Sequence, residues 1–229
     1  MWSSQPKIYL EPSRGYLRFG LLILLISASS ADPASGGPFD DGIAAYERGD
    51  YATAFRLMKP LAEQGDAKSQ HNLGVMYDYG RGVPQDNTKA GKWYRRAAGQ
   101  GIPEAQHNLG LMYENGQGVP QSDTEAVKWY RRAAGQGIPE AQVNLGIMYY
   151  NGRGVPQDCV LAHMWLNLAA ARYPASAKKT LNDAVRYQDL VGSLMTPAQI
   201  AEAERLAREW KPKKERIPGG DVTRRTPRP

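Results

Sequence analysis

The fifteen residues KWYRRAAGQGIPEAQ stand twice in this chain, at Lys92–Gln106 and at Lys128–Gln142, offset by 36 positions. No other feature restricts the fold as strongly. A fixed period of this length belongs to stacked supersecondary units, each too small to bury its own apolar face and each completed by its neighbours. The register extends beyond the quoted phrase: three units, read from Ala67, Ala105 and Ala141, coincide at Leu73, Leu109 and Leu145, and Ala54, Gln64 and Gly65 of a weaker preceding unit align with Ala90, Gln100 and Gly101.

Each unit reads as two helices. In the second, Ala90, Trp93, Tyr94, Ala97 and Ala98 fall at i, i+3, i+4, i+7 and i+8, one amphipathic stripe, repeated at Ala126, Trp129, Tyr130, Ala133 and Ala134. In the first, Leu73, Gly74 and Tyr77 form the inner face, and the glycine there (Gly74, Gly110, Gly146) is tolerable where a neighbouring helix approaches closely. Gly80, Gly116 and Gly152 stand where a left-handed cap ends a helix. GVPQ then turns the chain, Ser122 and Glu125 make a capping box, and Pro103 and Pro139 open the next first helices. The expected fold is all-α: a solenoid of helix-turn-helix repeats.

The units resemble Sel1-like repeats, relatives of the tetratricopeptide repeat with a longer interhelical loop. The LG-x-MY block (Leu73 to Tyr77 and its copies), the G-x-GVPQ loop (Gly80 to Gln85) and the Ala…WY…AA helix carry the resemblance, which covers roughly 40 to 172. It implies an interaction scaffold that holds other proteins together. In arrays of this kind, the first-helix side opposite the Leu/Tyr face lines the concave surface. Here that side reads His71, Val75, Asp78 and Tyr79; then His107, Leu111, Glu114 and Asn115; then Val143, Ile147, Tyr150 and Asn151. A row of Val, Leu and Ile with a polar border suits a partner peptide or helix; a solvated side, or one covered by the chain's own ends, is the alternative.

The expected organisation is a signal peptide over 1–31, a linker over 32–40, a degenerate repeat over 41–66, three repeats over 67–172, capping helices over 173–210 and a disordered basic tail over 211–229. Lys7, Arg14 and Arg18 precede the apolar run Phe19 to Ile26 and a small-residue stretch, which places a cut between Ala31 and Asp32 and the product in the periplasm or outside the cell. Of the net charge of +6, the segment from Arg205 onward carries nine bases against three acids, and residues 32–204 carry seventeen against nineteen. The basic character therefore lies in the tail. Such a tail can touch an anionic membrane surface, while export argues against nucleic acid as a partner.

Chemistry is sparse. His71 and His107 align with Val143, so neither reads as a general base or metal ligand; His163 aligns with Gly91 and Val127. No zinc-ligand spacing, phosphate loop or cofactor motif is present. Cys159, the single cysteine, sits near a helix start that could lower its pKa. The chain lacks the paired cysteines of the cysteine-rich Sel1-like branch and with them the pointer to β-lactam chemistry. Thirteen Tyr and five Trp against three Phe predict aromatic side chains at partly wetted positions, with Trp93, Trp129 and Trp165 stacking repeat on repeat and Arg95, Arg96, Arg131 and Arg132 at their edge. The expected protein is a non-catalytic binding scaffold of the cell envelope. An envelope enzyme working in the groove on cell-wall material or β-lactams, and a membrane-surface adaptor using the tail, are the alternatives.

Overall fold

A computed structural model describes residues 36–174 and 176–213. The signal segment with its Ala31/Asp32 cut, and the tail beyond Lys213, lie outside the described residues. Among those described, ten helices follow in order: α1 (Pro38–Glu47), α2 (Tyr51–Glu63), α3 (Ala67–Tyr79), α4 (Asn87–Gly99), α5 (Pro103–Asn115), α6 (Asp123–Gly135), α7 (Pro139–Asn151), α8 (Cys159–Ala170), α9 (Lys178–Gly192) and α10 (Pro197–Glu209). The first eight form four consecutive pairs, and α1 begins at Pro38, three residues before the expected start of the first repeat at 41.

Local chemistry sets each boundary. Gly80, Gly116 and Gly152 end the first helices at φ of 65°, 67° and 66°. The loop glutamines then satisfy carbonyls left open by the helix end: Gln85, Gln121 and Gln157 Nε2 donate to Asp78, Glu114 and Tyr150 O at 2.7, 3.0 and 2.7 Å. Asp86, Ser122 and Asp158 cap the second helices by accepting from the backbone N–H three residues on. Glu125 does not complete the expected capping box, because its carboxylate pairs with Lys128 at 3.2 Å. The reciprocal box appears instead at Thr196 and Gln199, opening α10.

Packing explains the first-helix glycines. A Cβ at Gly74 or Gly110 would lie 2.5 or 2.6 Å from the ring of Tyr94 or Tyr130, so each tyrosine ring packs directly against the glycine of its partner helix. Tyr94 and Tyr130 are fully buried because the glycine groove accepts a whole ring, and Tyr150 is buried as well, whereas Tyr77, Tyr79, Trp93, Tyr113 and Tyr149 are half-buried, as the expectation of partly wetted aromatics has it. Between pairs, Gln100 Nε2 donates to Gly65 O at 2.9 Å and Gln70 Oε1 at 2.7 Å, and Gln136 repeats this with Gly101 O and Gln106 Oε1 at 3.0 and 2.9 Å. The corresponding residue of the fourth pair is Arg172.

The end of the array is closed by the chain itself. Val191 of α9 is buried with Ile147, Tyr150 and Leu166, and Ala203 of α10 with Trp165 and Leu168. Beyond α10, Trp210 meets Trp165 edge-on at 6.1 Å, the Arg172 guanidinium lies 4.3 Å from the Trp210 ring centre, and Lys213 N–H donates to Gly135 O at 2.8 Å. The first residues assigned to the tail are thus docked.

Candidate functional site

The expected binding side does not form an open apolar groove. Val75, Leu111 and Ile147 are only 1%, 8% and 3% exposed, and His71, His107 and Tyr150 are buried beside them. Val75 packs in one cluster with Ala90 and Tyr94 of α4 and Leu109 of α5, Leu111 in one with Ala126 and Tyr130 of α6 and Leu145 of α7, and Ile147 in one with Leu166 of α8 and Val191 of α9. What remains accessible is the rim at the helix ends, where Asn115 is exposed and Asp78, Tyr79, Glu114 and Asn151 are half-buried; Val143, also half-buried, lies nearer the start of α7 and packs against the Ile147 cluster.

Beneath that rim lies a polar network that position-by-position reading missed. Tyr130 Oη donates to Glu114 Oε2 at 2.6 Å, and Arg153 Nη1 donates to Glu114 Oε1 at 2.9 Å. Arg153 also grips Asp123 through Nη2 and Nε at 2.7 and 3.1 Å. Asn144 Nδ2 lies 3.2 Å from His107 Nε2, and the His107 and Tyr130 ring centres lie 5.9 Å apart with the rings tilted by 37°. One unit earlier, Tyr94 donates to Asp78 at 3.3 Å beside His71. In the next unit the set changes together, to Val143, Tyr150 and Leu166, where α9 makes the environment apolar. The joint replacement was visible in the repeat alignment; the contacts were not.

A second feature is an aromatic enclosure. Arg81 lies 5.4 Å from the ring centres of Tyr46, Tyr51 and Tyr79 and donates to Tyr46 Oη. Arg81 and Arg153 occupy the same loop position in their repeats, where the intervening unit has Gln117.

Electrostatics follow burial. Enclosure in an apolar setting pushes the His107 pKa down to about 4, so the ring is neutral, and lowers His163 as well. Burial raises the carboxyls of Glu104 and Glu140, which open α5 and α7. Cys159 departs from the expectation that its helix start could lower its pKa: desolvation and the neighbouring Asp158 carboxylate raise it. Among the described residues no group of three or more His, Cys, Asp or Glu could hold a metal ion, and no helix is long and apolar enough to cross a membrane.

Comparison with known proteins follows the same 36-residue register. The Sel1 repeat model matches residues 39–66, 67–102, 103–138 and 139–173. Among curated proteins, DAP3-binding cell death enhancer 1 of Rattus norvegicus and of Mus musculus are each 43% identical over 42 residues, 18% of this chain. The match spans only 8% of those relatives' length. Among solved structures, c5321, a protective antigen present in uropathogenic Escherichia coli strains displaying an SLR fold, is 30% identical with a TM-score of 0.64 over 78% of this chain and 39% of that one. A Sel1 repeat protein from Oxalobacter formigenes is 30% identical with a TM-score of 0.57 over 73% of each chain. Proteins built of such repeats generally mediate protein–protein interaction and are typically non-catalytic. The four matched units cover more than half of the residues, and this chain belongs to the Sel1 repeat family.

Proposed function

We propose that this chain is an exported, non-catalytic scaffold of the cell envelope, and that it engages a partner protein along the ends of its first helices. The observation that carries this reading is the sealed row of Val75, Leu111 and Ile147, which leaves Tyr79, Asn115 and Asn151 as a rim repeated at one-unit intervals. Contacts at such intervals suit a partner segment running across several units. The name of the curated relatives, DAP3-binding, is in keeping with protein binding as the use of such repeats. An enzymatic reading on cell-wall material or β-lactams finds little support, because His107 is enclosed and neutral and Glu114 is committed to Tyr130 and Arg153.

The test is capture of partners from envelope extract by the purified protein and by a variant carrying Tyr79→Ala and Asn115→Lys. The expected result is a partner bound by the parent chain and lost from the variant, with an unchanged melting curve. Equal recovery by both proteins overturns the rim assignment.

A further inference from the structure

The outward side of the second helices carries a feature that the rim does not use. On α4, Lys92, Arg95, Arg96 and Gly99 fall at i, i+3, i+4 and i+7, and all are exposed. On α6, Lys128, Arg131, Arg132 and Gly135 repeat the arrangement one unit further along. The guanidiniums are held by aromatic groups. Arg96 lies 4.7 Å over Trp93 and Arg132 4.8 Å over Trp129, while Arg95 and Arg131 Nη2 donate to Tyr113 and Tyr149 Oη, each at 2.9 Å. Among the described residues, no ion pair engages Arg95, Arg96 or Arg131. They are ordered, charged and still rich in donors, so an anion meets little further cost in side-chain entropy.

The first pair shows what this face looks like with its charge balanced. In α2, Lys59 pairs with Glu63 at 3.8 Å. In α4 and α6 the cation is kept as Arg95 or Arg131, and the acid becomes Gly99 or Gly135. Neither packing nor backbone requires those glycines. Both are helical, neither has a positive φ, and a Cβ at either would meet nothing within 4 Å. Glycine is the weakest helix former short of proline, so both helices give up stability at positions that any side chain could fill. The result is a cationic stripe on a body whose net charge is negative.

The fourth pair shows what this face receives. The equivalents of Lys92 and Arg96 in α8 are Met164 and Leu168, which are buried in one cluster with Ala203 of α10, against which Leu206 of α10 and Trp210 just beyond it also pack. Where the face is apolar, the apolar side of an amphipathic helix of the same chain, Ala203 and Leu206 of α10, lies on it. Where the face is cationic, complementarity calls for an acidic helix. A bilayer is the poorer match, since the large exposed apolar side chains that would enter it, Val185, Leu190 and Leu194, belong to α9 and its end.

We therefore propose that the outward faces of α4 and α6 bind an acidic helical segment of a partner protein. The proposal deepens the protein-binding reading above but uses different residues. Its probe is a helical peptide of about 20 residues with glutamates at i, i+3, i+4 and i+7, its all-glutamine counterpart serving as control, titrated at about 50 and about 300 mM salt. The acidic peptide is expected to bind, at least about tenfold more weakly at the higher salt, and the glutamine peptide not to bind. Arg95→Gln with Arg131→Gln is expected to weaken binding about tenfold or more. Gly99→Glu restores the balanced form and gives the sharpest readout: the melting temperature rises by about 2 °C while affinity falls several-fold. Equal binding of both peptides, no binding of either, or Gly99→Glu without effect on affinity overturns the proposal. So does tighter binding of a single-stranded DNA or of phosphatidylglycerol vesicles that the peptide cannot displace. Asn115→Lys leaves peptide binding unchanged, so a failure here and a failure of the rim assignment are told apart.

Discussion

Gly110 has room for a hydrogen atom and nothing larger. A methyl group there meets the Tyr130 ring at 2.6 Å, and α5 and α6 must separate or the ring must leave its rotamer. Gly110→Ala is therefore expected to destabilise the protein by about 1–3 kcal/mol in chemical denaturation, although alanine is the better helix former. His107 makes a different prediction. Its folded pKa of about 4 lies below the unfolded value near 6.5, so between those values the unfolded chain takes up a proton that the folded chain refuses. Stability from this group is complete above pH 6.5 and falls as the pH drops toward 4, by up to about 3 kcal/mol. Glu104 and Glu140, raised by burial, act in the opposite sense above their ordinary range. The contribution is isolated by comparing denaturation profiles of the parent and His107→Val, which is expected to flatten the decline between pH 6.5 and 4.

At the level of helices, the glutamine rungs join what the apolar stripes only press together. Gln106 Nε2 donates to Ala98 O at 3.1 Å in a buried bond and its Oε1 accepts from Gln136 in a part-buried one, so one side chain closes a bond on each side of itself. Gln106→Leu removes both of these bonds, although Ala98 O keeps the Gly101 N–H and Gln136 keeps Gly101 O, and is expected to cost about 1–3 kcal/mol, with faster amide exchange in the α4–α5 and α6–α7 turns. The helices themselves were legible: the apolar period, the glycine caps and the N1 prolines each follow from one residue's local preference, and all of them stand in the structure. The rungs and the Glu114–Arg153–Asp123 contact were not, because each joins residues 30 or more positions apart whose types suit solvent equally well. The rim was half legible. Periodicity placed Val75, Leu111 and Ile147 on one side of their helices, but whether that side is open depends on the separation of neighbouring helices, a quantity that periodicity does not contain. The arginine stripe was in plain view in the repeated phrase, and its reading as an edge to the tryptophans missed the absence of the acid that balances it in α2.

For the molecule as a whole, α9 and α10 replace the neighbour that the fourth pair lacks. A chain ending at Leu194, after α9, bares Met164, Trp165 and Leu168 while leaving the other pairs intact. Light scattering is expected to show self-association of that shortened chain at concentrations where the full chain stays monodisperse, and adding Met164→Lys and Leu168→Lys is expected to restore solubility. The same closure bears on how an array like this changes length. Arg172 stands where the earlier units have the joining glutamine, and it stacks on Trp210 instead of reaching back across the turn. An extra unit appended after α8 would meet the wrong residue, whereas one inserted between Gly101 and Gly137 finds a compatible neighbour on either side. Lengthening is in this sense directional: new copies enter through the middle, each adds another arginine pair to the stripe, and the terminus is carried outward unchanged. The two identical stretches mark the seam where such an insertion leaves least trace.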